Sequence, residues 1–181
     1  MEGCATNHSA LAVGIRNMRL VQAIVGLLLL VVTACSTVPS PARPSVYVMR
    51  HLQKAAGPDP ALSAEGQGYA QRLVGRFSDD PPSAIYVSAT RRARETAVPL
   101  AARLGIVPKI YDPANTPALV ARVKAEGGTV LVVGHSNTVP EIIGLLGGTR
   151  PADIAESQFG DIWHVHGARP RTDHTNILTG K

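Results

Sequence analysis

Three short apolar runs, Val46-Tyr47-Val48-Met49, Ala84-Ile85-Tyr86-Val87 and Val130-Leu131-Val132-Val133, restrict the folding options of this chain more than any other feature. Each is rich in β-branched side chains and nearly free of polar alternation, the pattern of strands buried on both faces. Helical patterns lie between them. Ala70, Leu73, Val74 and Phe77 follow the i, i+3, i+4, i+7 rule behind a Ser63 cap. Ala93, Ala97, Leu100 and Leu104 share one face of the next segment, where Pro99 is expected to kink the helix. Residues 106–111 read as a shorter strand, and Thr116-Pro117 as the N-cap and N1 pair of a helix running to about Glu126 and stopped by Gly127-Gly128. Ile142, Ile143, Leu145 and Leu146 mark a last apolar helix ending at Gly147-Gly148, and residues 161–166 are expected to add an edge strand. This alternation of strand and helix implies a three-layer α/β/α sandwich with a mostly parallel sheet. Residues 167–181 are polar, lack apolar periodicity and are expected to form a loose tail.

At 181 residues, 45% apolar and 17% charged, the chain suits one ordinary globular domain. Its two cysteines, Cys4 and Cys35, allow no disulfide framework in the body and form no CxxC or Cys/His zinc pattern. The formal net charge of +5 is spread along the sequence, and two Phe and one Trp offer few platforms for stacking bases, which weighs against nucleic-acid binding. A basic pocket for an anion fits the same surplus.

At the N-terminus, Arg16 and Arg19 precede an apolar run from Leu20 to Val32 broken only by Gln22, the length of a signal h-region rather than a membrane span. The run ends in Val32-Thr33-Ala34-Cys35, which resembles the bacterial lipobox, and Ser36 after the cysteine resembles the sorting pattern of outer-membrane lipoproteins. The resemblance implies that residues 1–35 are a signal segment and that Cys35 receives the lipid. Several acyl chains on Cys35 would anchor the protein stably to a membrane, where one chain would be marginal. The body would then lie in the bacterial cell envelope, facing the periplasm or the outside. Residues 36–44 are a Pro/Ser linker that holds the domain off the bilayer. Met18, just before Arg19, is a second candidate start.

In open parallel sheets, ligands bind beyond the carboxyl ends of the strands. Arg50-His51 follows the first strand, Ser88-Ala89-Thr90-Arg91-Arg92 the second, and Gly134-His135-Ser136-Asn137 the third long one. Two histidines and several arginines are thus expected at one crevice, with helix N-termini beside them, which makes an anion site. Arginine holds phosphate oxygens in a fork of N–H bonds, and a neutral imidazole, kept neutral by cationic neighbours, can attack phosphorus.

These three motifs, in order and each after a strand, resemble the histidine phosphatase superfamily, also called phosphoglycerate mutase-like, over about residues 45–166. The resemblance implies that Arg50 and Arg92 bind phosphate, that His51 is the nucleophile that becomes phosphorylated, and that His135 contacts the transferring oxygens. It also implies a hydrolase that needs no metal and no cofactor. Two positions depart from the family pattern: Leu52 stands where glycine usually follows the nucleophile, and Ala89-Thr90-Arg91 replaces Ser-x-Leu. Arg91 and Arg94 compete with Arg92, which the following Ala93-x-Glu95-Thr96-Ala97 favours.

For the general acid, Asp59 in a Gly-Pro-Asp-Pro loop is the first candidate and Asp112 the second, although either can be a turn former. Glu141 is expected to face outward. His164-x-His166 places two imidazoles on one face of the expected strand, but without a third ligand at suitable spacing no metal is assigned. Only 41 residues separate Arg50 from Arg92 and 42 separate Arg92 from His135, too few for a large covering insertion. An open crevice suits bulky phosphorylated substrates, such as a phosphoprotein or a phosphorylated glycolipid, and water as the acceptor. The competing expectation is a catalytically silent phosphate- or phosphoprotein-binding envelope lipoprotein. Oligomeric state is not set by the sequence.

Overall fold

A computed structural model describes residues 45–179. Residues 1–35 with Cys35, expected to be a signal segment, and residues 36–44, expected to be a linker, lie outside the described residues. The chain runs through β1 (Val46–Arg50), α1 (Ala64–Arg76), β2 (Ala84–Ser88), α2 (Arg91–Leu104), β3 (Lys109–Tyr111), α3 (Thr116–Lys124), β4 (Val130–Gly134), α4 (Thr138–Leu145), β5 (Asp161–His166) and β6 (Arg171–Asn176).

The six strands form one sheet in the order β3-β2-β4-β1-β5-β6. The β2–β3, β2–β4 and β1–β4 pairs are parallel, whereas β1–β5 and β5–β6 are antiparallel. Every residue of β1, β2 and β4 is buried, which accounts for their unbroken apolar sequence. Because successive side chains alternate across a strand, Val46 and Val48 enter a core with α3 and α4, while Tyr47 and Met49 enter a second core with α1 and α2. Helices therefore cover both faces, and the protein is the three-layer α/β/α sandwich of the phosphoglycerate mutase-like fold.

The helix boundaries follow local chemistry. Ser63 caps α1 by accepting from the Gly66 N–H at 3.1 Å. The cap of α3 lies one residue earlier than the sequence suggests: Asn115 accepts from the Ala118 N–H at 3.1 Å, and Thr116 is the first helical residue. Helix α2 continues through Pro99 and ends at Gly105, whose φ of 67° is left-handed. Among the described residues, no helix is long and apolar enough to cross a membrane.

Two expectations need correction. Residues 171–176 are not a loose tail but the edge strand β6, and residues 161–166 form an interior strand between β1 and β6. An edge strand meets solvent and needs no apolar alternation, so the polar sequence Arg171-Thr-Asp-His-Thr-Asn carries no hydrophobic signal. Its pairing is reinforced by polar contacts to β5. His174 meets Asp161 at 2.7 Å, His166 meets Asp173 at 2.9 Å, and the Asn176 side chain donates to Asp161 at 2.9 Å.

Candidate active site

The parallel pairing of β1 with β4 brings Arg50 level with Gly134, and the His51 N–H donates to the Gly134 carbonyl at 2.9 Å. Both strands thus end together, and His51 and His135 emerge side by side with ring centroids 5.4 Å apart. Gly134 is required at this point: a β-carbon there would lie 2.9 Å from the Thr138 hydroxyl and 3.1 Å from the Tyr111 hydroxyl. Strand β2 contributes the third end, where Thr90 and the start of α2 supply Arg92. The three ends enclose a cleft of about 350 Å³ lined by Arg50, His51, Arg92 and His135, with Lys54, Ser136 and Glu156 at its border. The first turns of α2 and α4 border it through Thr90 and Asn137, and neither cap side chain binds its own helix. Their positive dipole ends favour an anion there.

His51 is 2% exposed, and its Nδ1 lies 2.8 Å from the Leu52 carbonyl. A carbonyl only accepts, so Nδ1 carries the proton and Nε2 keeps the lone pair. Burial, followed by the charges of Arg50 and Arg92 and the neighbouring His135, lowers the His51 pKa to about 3. His135 is likewise lowered to about 4, first by burial and then by Arg92 and Arg50. Its Nε2 meets the Ser88 hydroxyl at 2.8 Å, and its backbone N–H donates to the Thr138 hydroxyl at 3.0 Å. Both imidazoles are neutral at ordinary pH.

Thr96 ties the His51 segment to α2. Its hydroxyl accepts from the Leu52 N–H at 3.0 Å and donates to the Arg92 carbonyl at 2.8 Å. Of the three arginines weighed from the sequence, Arg92 alone lines the cleft; Arg94 is exposed, and Arg91 pairs with Glu95 at 2.7 Å on the surface. The Nε groups of Arg50 and Arg92 are buried without a hydrogen-bond partner. Unpaired buried donors are costly, and an anion between the two guanidiniums would satisfy them.

The carboxylates are arranged differently from the sequence reading. Asp59 rides on the loop closed by the Lys54–Leu62 bridge, accepts from the Arg91 N–H at 3.0 Å and stands 3.7 Å from Arg92. It is absent from the cleft lining and faces the guanidinium. Asp112 accepts from the Ala114 N–H at 2.9 Å, a turn contact, and Glu141 is exposed on α4. The carboxylate that does border the cleft is Glu156. It pairs with Arg50 at 2.9 Å and accepts from the Ser136 hydroxyl at 3.0 Å. Those two contacts, the hydroxyl first, lower its pKa. Arg50 also donates to the carbonyls of Ala155 (2.8 Å) and Gln158 (3.0 Å) and stacks on Phe159 at 4.4 Å, so this loop is built around it. Glu156 lies in a stretch with no strand end and no periodicity, and no local sequence signal marks it.

Residues 46–114 match the model of the histidine phosphatase superfamily (branch 1). No curated protein matches the sequence. Among solved structures, the chain is similar to the protein histidine phosphatase SixA complexed with tungstate, at 18% identity and a TM-score of 0.60, covering 76% of this chain and 99% of that one. It is also similar to a mycobacterial glucosyl-3-phosphoglycerate phosphatase in complex with inorganic phosphate, at 18% identity and a TM-score of 0.59, covering 74% and 96% respectively. At such identities the likeness is one of fold. The family match spans the first two of the three strand-end motifs, and the likeness to these structures shows the shared fold.

Proposed function

We propose that this chain is a phosphomonoester hydrolase that works through a covalent phosphohistidine on His51. The supporting observation is His51 itself: buried, neutral, with its Nδ1–H bound to a carbonyl and its Nε2 lone pair free, between two arginines and a second neutral histidine. In the first step, Nε2 attacks phosphorus and the bond from phosphorus to the leaving oxygen breaks, the oxygen taking its proton from solvent or from an acid. In the second, water attacks the phosphorus, the P–N bond breaks, and phosphate leaves as His51 regains its lone pair. Arg50, Arg92 and His135 stabilise the charge on the equatorial oxygens in both steps.

From the sequence, Asp59 is the leading acid, but its contacts suit it to orienting Arg92. Glu156, held ionised by Ser136 and Arg50, is better suited to accept a proton than to supply one. A cleft without a ready acid favours leaving groups that need no proton from the protein, such as an aryl oxide or the imidazole of a phosphohistidine whose distal nitrogen already carries one. The reading therefore favours a phosphoprotein over a sugar phosphate, hydrolysed without a metal by a protein anchored in the envelope through Cys35.

The test is hydrolysis of an aryl phosphate by the full-length protein with a chelator present, beside His51→Ala. Turnover in the parent, loss of at least about a thousandfold in the variant as for other nucleophile removals, and an acid-labile, base-stable phosphoprotein on rapid quench are the expected results. A second reading, a silent phosphate-binding lipoprotein, is favoured by the Arg50–Glu156 pair, which already engages one phosphate-binding arginine. Phosphate binding with no turnover in the parent would select it.

A further inference from the structure

His164 and His166 stand two residues apart on one face of β5, at the opposite end of β1 from Arg50 and His51, because β5 runs antiparallel to β1 with Tyr47 level with His164. The sequence offered these two imidazoles no third partner. Strand β6 supplies one: Asp173 lies level with His164 in the β5–β6 register, and its Oδ2 is 2.9 Å from His166 Nε2. One donor atom from each of the three side chains lies within 4.8 Å of the others.

The rings are held in place. His164 stacks on Tyr47 with centroids 4.0 Å apart at 11°, and on His166 at 4.4 Å and 24°. The Ser45 hydroxyl meets His164 Nε2, and the Tyr47 hydroxyl donates to Asp80 at 2.9 Å. Outer contacts of this kind orient metal ligands.

We propose that His164, His166 and Asp173 bind a divalent transition-metal ion of the zinc class, at a site separate from the phosphate cleft that clamps β6 onto β5. Two imidazole nitrogens and one carboxylate oxygen suit zinc, whereas calcium and magnesium prefer oxygen alone. Metal–ligand bonds of about 2.0–2.2 Å place tetrahedral donors about 3.3 Å apart. The His166–Asp173 contact is already that close, and the remaining closure needs only small side-chain rotations in residues that are not fully buried. Three protein ligands leave the remaining position to water. The clamp sits where apolar cohesion is thinnest, on a polar edge strand.

The test uses the full-length, chelator-stripped protein titrated with zinc, read by calorimetry and by the midpoint of thermal unfolding, with cobalt absorption to report coordination. One saturable equivalent, a raised midpoint by mass action and a tetrahedral cobalt spectrum are expected. Asp173→Asn, which can keep a hydrogen bond to His166, should weaken zinc by at least about tenfold, the scale of losing even an outer-shell partner, and cancel the thermal shift. Its aryl phosphate hydrolysis should be unchanged, which reports an intact fold. His51→Ala should bind zinc as the parent does, which separates this site from the catalytic histidines. Absence of saturable binding in the parent, or parent-like affinity in Asp173→Asn, would overturn the proposal whatever the fate of the phosphatase reading.

Discussion

At the residue scale, the cleft is a competition for Arg50. The guanidinium to which the proposed function assigns phosphate binding is paired with Glu156, whose side chain is 76% exposed. Arg50 is buried but Glu156 is open to water and screened, so the pair is taken on the scale of surface pairs, about 0.2–1 kcal/mol, and biases the site without closing it. Glu156→Gln should tighten binding of inorganic phosphate or tungstate by up to about fivefold, the upper end of that range, measured by calorimetry. Weaker binding in the variant would mean that Glu156 positions Arg50 for the anion instead of competing with it. The convergence of Arg50, His51, Arg92 and His135 on one cleft was legible from the sequence because each follows a strand, and the ends of parallel strands share one edge of a sheet. Glu156 was not, since it reaches Arg50 across 106 positions from a loop without pattern.

At the element scale, the segment after β1 is held from two sides, by Thr96 on α2 and by the first turn of α1. Gly66 in that turn lies against the Gln53 backbone so closely that a β-carbon would collide with the Gln53 carbonyl oxygen. The Gly66→Ala variant must push α1 away from the residues that follow His51. Overpacking of this kind costs about 1–3 kcal/mol. A fall of that size in urea unfolding, together with reduced kcat, is the expected result, and an unchanged midpoint would show that α1 moves freely. The elements that apolar period reveals, β1, β2 and β4 with the helices between them, were readable because burial on both faces leaves a continuous apolar run. β6 escaped because it is an edge strand paired with β5 alone and held by polar side-chain contacts, which leave no apolar period.

At the scale of the whole molecule, two buried neutral histidines couple folding to pH. An unfolded histidine titrates near 6.5, whereas His51 and His135 in the fold titrate at about 3 and about 4. Above pH 6.5 both states are neutral, and the full stability is present. As pH falls below that value the unfolded chain takes up the protons first. Unfolding free energy then drops by up to about 1.4 kcal/mol per pH unit for each histidine. The loss continues to about pH 4 for His135 and about pH 3 for His51. Denaturant unfolding between pH 7 and 4 should show this decline, with a shallower slope in His51→Ala. An identical slope in the variant would place the acid sensitivity elsewhere.

The sequence by itself determined the layered α/β architecture and the convergence of two arginines and two histidines. Both depend on local pattern, on apolar runs and on the residues that directly follow them. Only the tertiary structure decided which carboxylate approaches the cleft, that Asp59 faces Arg92, and that β6 pairs with β5 to bring Asp173 to His164 and His166. These are contacts between polar side chains on separate segments, and a polar residue satisfied by one distant partner leaves no periodic trace along the chain.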